Sequence, residues 1–158
     1  MLPNDELMVI ALRLGVAALI GAAIGFDREV HRKPAGMRTH ALVSLGAAVL
    51  VVVVSRAGVG IGSDIAAVSR VIQGIIAGGG FLGGGAILKS ATGAEMVHGL
   101  TTAATIWLAA CLGVACGAGQ WTAAVITGVL ALLIVIAGRP VEGLIHRWFK
   151  DPPPNNHG

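Results

Sequence analysis

The sequence predicts an all-α membrane protein of five transmembrane helices, with the N-terminus outside and the C-terminus cytoplasmic. Three observations carry that expectation. Of 158 residues, 55% are apolar and only 12% are charged, with a mean hydropathy of +0.83, which is not the composition of a water-soluble domain. The apolar stretches recur at ~20 residues, the length a helix needs to cross ~30 Å of hydrocarbon. The cations sit in the connections and favour one side. Arg28, Arg32, Lys33, Arg38, Lys89, Arg139, Arg147 and Lys150 face Arg56 and Arg70, eight against two, and the cation-rich side is the cytoplasmic one.

Residues 1–6 are a short polar lead without Lys or Arg, so no cleaved targeting segment is expected. Span one covers 7–26 and carries Arg13 about 9 Å in from Leu7, at ~1.5 Å per residue. A charge there is costly unless it snorkels or pairs. It can snorkel towards Asp5 and Glu6, or find a partner on another helix or in an aqueous cavity. Span two, 39–55, is free of formal charge. The connection 56–70 includes Ser63 and Asp64, either of which can cap a short interfacial helix.

Span three, 71–88, is crowded with glycine: Gly74, Gly78, Gly79, Gly80, Gly83 and Gly84 include three small-xxx-small pairs. Such pairs let another backbone approach closely, within one chain or across a homodimer. A re-entrant segment lining a cavity is the alternative. Gln73 is the strong polar side chain in this span. Residues 89–100 form the second charged connection, with Lys89, Glu95 and His98.

Span four, 101–118, opens with Thr101 and Thr102, whose hydroxyls can cap the helix or face a polar site. Cys111 and Cys116 lie on different faces of it, so packing is expected rather than a disulfide or a metal site. Trp107, inside the span, reads as a packing residue. Span five, 121–138, places Trp121 at the interface. As domains, 1–138 is the five-helix transmembrane unit, 139–150 an amphipathic juxtamembrane segment and 151–158 a disordered tail.

The chain is organised around residues 27–40, DREVHRKPAGMRTH. Pro34 and Gly36 fix a turn there. Orientation alone needs only Lys and Arg, yet Asp27 and Glu29 are interleaved with Arg28, Arg32, Lys33 and Arg38. The expected cluster pairs Asp27 and Glu29 with Arg28, Arg32 or Arg38. It sets Thr39, His40, Thr101 and Thr102 at the cytoplasmic ends of spans two and four. Asp27 and Glu29 are also hard oxygen donors of the kind Mg²⁺ takes. The surrounding cations make an ion-pair network the more economical reading, so no metal or other cofactor is expected. His31, His40 and His98 add groups that titrate near neutrality.

Two nucleotide look-alikes fail. Residues 78–83 match G-x-G-x-x-G without a preceding strand, and Lys89-Ser90 follows Leu88 where a P-loop needs glycine. Net charge of +3, concentrated in the loops and tail beside apolar spans, suits lipid headgroups rather than nucleic acid. Shifting the chain by 63 residues aligns spans one and two with three and four, with Leu19, Gly21, Gly36 and Thr39 meeting Leu82, Gly84, Gly99 and Thr102. That is a candidate parallel repeat, and it would bring 27–40 and 89–102 together.

Three stretches, FDREVHRKPAGMRTHALVSLG, GFLGGGAIL and GLTTAATIWLAACLGVACGAG, resemble in order the MgtC/SapB family of bacterial membrane proteins. The resemblance implies an inner-membrane protein with a regulatory role in adaptation to magnesium limitation or host stress. For its best-known members it implies a membrane-protein partner, the F-type ATP synthase. Longer members carry a soluble C-terminal domain beyond the point where this chain stops, so only the membrane domain is expected here. The alternative is a small cation transporter or Mg²⁺-linked, ion-responsive membrane protein. With no nucleophile–base pair, zinc motif or phosphate cradle, no enzyme is expected.

Overall fold

The computed structural model describes residues 4–57, 65–90 and 99–149. Five helices follow one another: α1 (Asn4–Val30), α2 (Met37–Ala57), α3 (Ile65–Ser90), α4 (Leu100–Gly117) and α5 (Trp121–Phe149). Each is long and apolar enough to cross a membrane, and among the described residues there is no strand. The five-span, all-α architecture is therefore the one the chain adopts.

The helices outrun their hydropathy. α1 continues past Phe26 through the charged residues to Val30, and α3 starts at Ile65, absorbing much of the expected connection. α5 runs unbroken through Pro140 to Phe149, while its apolar span ends at Gly138. Proline removes one N–H from the ladder, a local loss that a long helix tolerates. Ser63, Asp64, Glu95 and His98, and the tail at 151–158, lie outside the described residues.

Three helices make the core. The α4 span is 50% buried, against 11% for those of α3 and α5, and α4 packs on every other helix. α2 lies between α1 and α4 with its backbone in contact with both. A Cβ added at Gly21 of α1 would come within 2.5 Å of His40 O, and one at Gly25 within 2.6 Å of Met37 Cα. From the other side, Gly113 of α4 abuts Ser44 O, and a Cβ at Gly117 would lie 2.6 Å from Ala48 O. Neither contact could form with a larger residue, because two helix backbones approach this closely only where side chains are missing.

Small apolar side chains fill what remains. Ala17, Ala48, Cys116 and Ala124 form one buried cluster, and Ile24, Leu112 and Ala131 another. Both recruit α5 to α1 and α4 through its alanines. α3 reaches α4 through Gly79, whose added Cβ would sit 3.4 Å from Ala110 Cβ, and Gly83, 3.1 Å from Ala103 Cα. A Cβ added at Gly74, Gly78, Gly80 or Gly84 would meet no described atom of another element within 4 Å. Most of the predicted packing glycines thus face away from the bundle. Cys111 and Cys116 are both free thiols.

Candidate functional site

The charged end of the bundle begins where α1 stops. Lys33 N–H donates to Arg28 O at 2.9 Å and Arg32 N–H to Glu29 O at 3.0 Å. This is the double closure of a Schellman motif, whose left-handed position usually holds glycine. Here Arg32 holds it, at φ 51°, and Ala35 is also left-handed, at φ 56°. The turn delivers Glu29 to the start of α2, where its Oε2 accepts the N–H of Met37 at 3.1 Å. That satisfies one of the donors every helix N-terminus leaves open. Gly36 leaves room for it, since a Cβ there would overlap Glu29 Oε2.

Arg28 points inward. It is 2% exposed, and its Nη2 donates to Thr102 Oγ1 on α4 and approaches Pro34 O at 3.4 Å. One guanidinium therefore ties α1 to α4 and to the turn. His40 is fully buried beside it. Its Nδ1 faces Gly36 O at 2.9 Å, so that nitrogen carries a proton. Its Nε2 meets Thr105 Oγ1 at 3.0 Å, while the same hydroxyl lies 3.0 Å from Thr102 O. In the neutral imidazole a single hydroxyl proton faces two acceptors. In the imidazolium, Nε2–H donates to Thr105 and the hydroxyl proton serves Thr102.

The expected pairing of Glu29 is replaced by a backbone contact. Glu29 holds the backbone of α2 and not a guanidinium, because the turn places it over that helix end. The Asp27 carboxylate lies 3.3 Å from His31 Nδ1. Thr102 is buried, whereas Thr39 and Thr101 are exposed, as are Lys33, Pro34 and Arg38. The structure brings together Arg28, Glu29, Gly36, His40 and Thr102, and leaves Arg32, Lys33 and Arg38 on the surface. Thr105 belongs to the cluster although the sequence reading missed it. Its signal was a three-residue spacing from Thr102, which puts both on one helix face. Among the described residues, no three His, Cys, Asp or Glu side chains are grouped to hold a metal ion.

The opposite end has its own arginine. Arg13 Nη1 donates to Gly117 O at 2.9 Å, so its partner is on another helix. α4 ends there in a second Schellman closure, with Gln120 N–H to Ala115 O at 2.8 Å and Gly119 N–H to Cys116 O at 3.0 Å. A cation at a helix C-terminus is favoured by the helix dipole. Gln73 is exposed on α3 and reaches only Ser69 on the same helix, at 3.5 Å.

Residues 14–144 match the MgtC family, a stretch that holds the whole Arg28–His40–Thr102–Thr105 cluster. SrpB of Synechococcus elongatus is 43% identical over 143 residues, covering 87% of this chain and 78% of that protein. MgtC of Brucella abortus is 40% identical over 128 residues, or 81% of this chain and 50% of that protein. YhiD of Escherichia coli, named as a proposed magnesium transporter, is 36% identical over 131 residues, 78% and 58% of the two chains. The chain thus spans about half the length of its MgtC relatives. No solved structure matches.

Proposed function

The chain belongs to the MgtC family of membrane proteins, and from that premise we propose that it is a regulatory protein of the bacterial inner membrane. It serves adaptation to magnesium limitation by contacting a membrane partner through the charged end of its bundle. The F-type ATP synthase, which the family resemblance implies, is the partner to test first. One observation carries the reading: a turn fixed from within and charged without. Arg28 and Glu29 are committed to Thr102 and to the start of α2, while Arg32, Lys33 and Arg38 stand exposed on the same turn. A loop that only oriented the chain would need no internal scaffold.

The core between the two polar ends supports regulation over transport. Ala17, Ile24, Ala48, Leu112 and Cys116 are buried there, and a permeation path carries polar side chains at mid-bilayer. The transport reading draws on the name that YhiD bears. Growth of a deletion strain in low magnesium separates the two, with membrane potential, cellular ATP and magnesium uptake followed together. Wild type is expected to rescue growth with a shift in ATP and potential. Arg38→Ala and Asp27→Asn are expected to insert normally and fail to rescue. Full rescue by both variants at normal abundance would sink the site, and rescue that tracks uptake at constant ATP would favour transport.

A further inference from the structure

The turn that joins α1 to α2 presents charge of one sign. Its two acids are engaged within it: Glu29 Oε2 accepts the N–H of Met37, and the Asp27 carboxylate lies 3.3 Å from His31 Nδ1. Arg32, Lys33 and Arg38 are exposed, and their side chains take part in no hydrogen bond or ion pair among the described residues. Arg32 stands at a left-handed position, φ 51°, which glycine adopts without strain. A cation is held there against the preference of its own backbone. Depth decides what this surface meets. α1 ends at Val30 and the α2 span begins at Met37, so six residues join two spans with no stem between them. Phe26, Val30 and Met37 are apolar and 60%, 61% and 41% exposed, a rim that belongs against hydrocarbon. Cations bracketed by that rim lie in the thin headgroup layer and not in the water beyond it.

We propose that Arg32, Lys33 and Arg38 bind the headgroup phosphate of an anionic phospholipid, whose acyl chains run along Phe26, Val30 and Met37. Charge complementarity names the class. Three cations with no free acid beside them favour a headgroup of net negative charge over a zwitterionic one, whose ammonium would face the same cations. Guanidinium forks also match phosphate oxygens in pairs. A soluble phosphate shares that chemistry and has no use for the apolar rim, so the source is lipid. The inference rests on the reading above for the role of this surface and names what the surface holds before a protein partner arrives: a lipid that keeps the turn in the headgroup plane.

Native mass spectrometry of the full chain in detergent tests this, with phosphatidylglycerol, phosphatidylcholine and inorganic phosphate as probes. Each cation near a membrane surface supplies about fivefold. Phosphatidylglycerol should therefore outbind phosphatidylcholine by about a hundredfold at low ionic strength, and by less as salt screens the charges. Arg38→Gln should lower that preference about fivefold. The Arg32→Gln, Lys33→Gln, Arg38→Gln triple variant should abolish it with an unchanged melting temperature, since these side chains hold nothing in the bundle. Arg70→Gln, which removes one exposed cation at the opposite end, should leave the preference as it is. Equal binding of the two lipids by wild type, full preference in the triple variant, or as large a loss in Arg70→Gln as in Arg38→Gln would overturn the proposal. Displacement of the lipid by inorganic phosphate would assign the cations to a soluble anion and end the lipid assignment. Growth rescue is read separately: a failure here leaves the regulatory reading standing, and failed rescue with the lipid preference intact strikes that reading alone.

Discussion

Thr101 and Thr102 are neighbours in sequence, yet only Thr102 is buried and bonded to Arg28. Thr102→Val leaves a buried guanidinium short of an acceptor, a loss of about 1–3 kcal/mol, whereas Thr101→Val should change little. Thermal unfolding in detergent, read beside complementation, distinguishes the two. Arg32 offers a converse case. It occupies a left-handed position at φ 51°, so Arg32→Gly should raise stability by about 0.5–1 kcal/mol. If the exposed cations meet a partner, the same variant should weaken that contact, giving a more stable and less active protein. The burial of Arg28 was not legible in the sequence, because charge in a loop reads as solvent-facing. What inverted the expectation was an acceptor on α4, 74 residues away, and pairing over that distance is a property of the fold.

Element by element, hydropathy was sufficient to find the helices and insufficient to say how they pack. The conspicuous glycines are in α3, yet at five of them, Gly74, Gly78, Gly80, Gly84 and Gly85, an added Cβ would meet no described atom of another element within 4 Å. The tightest helix-to-helix contacts among the helical glycines belong to Gly21, Gly25, Gly113 and Gly117, also spaced by four but singly and without ornament. A small-xxx-small pair states that a backbone can come close and is silent about which one does. The two sets should therefore respond oppositely to alanine. Gly113→Ala drives a methyl group into Ser44 O and should cost about 1–3 kcal/mol or abolish folding. Gly74→Ala and Gly78→Ala should be neutral or stabilising by up to about 1 kcal/mol, since alanine is the better helix former. Melting temperatures of the single variants, purified in one detergent, check both directions.

For the molecule as a whole, we propose the orientation that the cation asymmetry favours, with the charged turn inside and the termini on opposite sides. A fluorescent protein fused to the C-terminus should then fold and fluoresce, and alkaline phosphatase inserted in the 58–64 connection should be active. The reverse pattern would move the Arg32–Arg38 surface to the far side of the membrane and remove any cytoplasmic partner from its reach. The five apolar helices were the part most readable beforehand, because a span is set by length and apolarity. The extent of α5 was not, since apolarity ends at Gly138 while the helix continues through Pro140 to Phe149.

The central place of α4 bears on how the protein is made. Synthesis releases α1 and α2 first, and their hairpin enters the membrane with Arg28 and His40 still lacking Thr102 and Thr105. Until the fourth helix leaves the ribosome, the newborn hairpin lacks the α4 hydroxyls that Arg28 and His40 meet in the finished bundle. A chain that stalls between the third and fourth helices thus lacks the contacts that close its core, an early intermediate that membrane chaperones would hold and membrane proteases would clear.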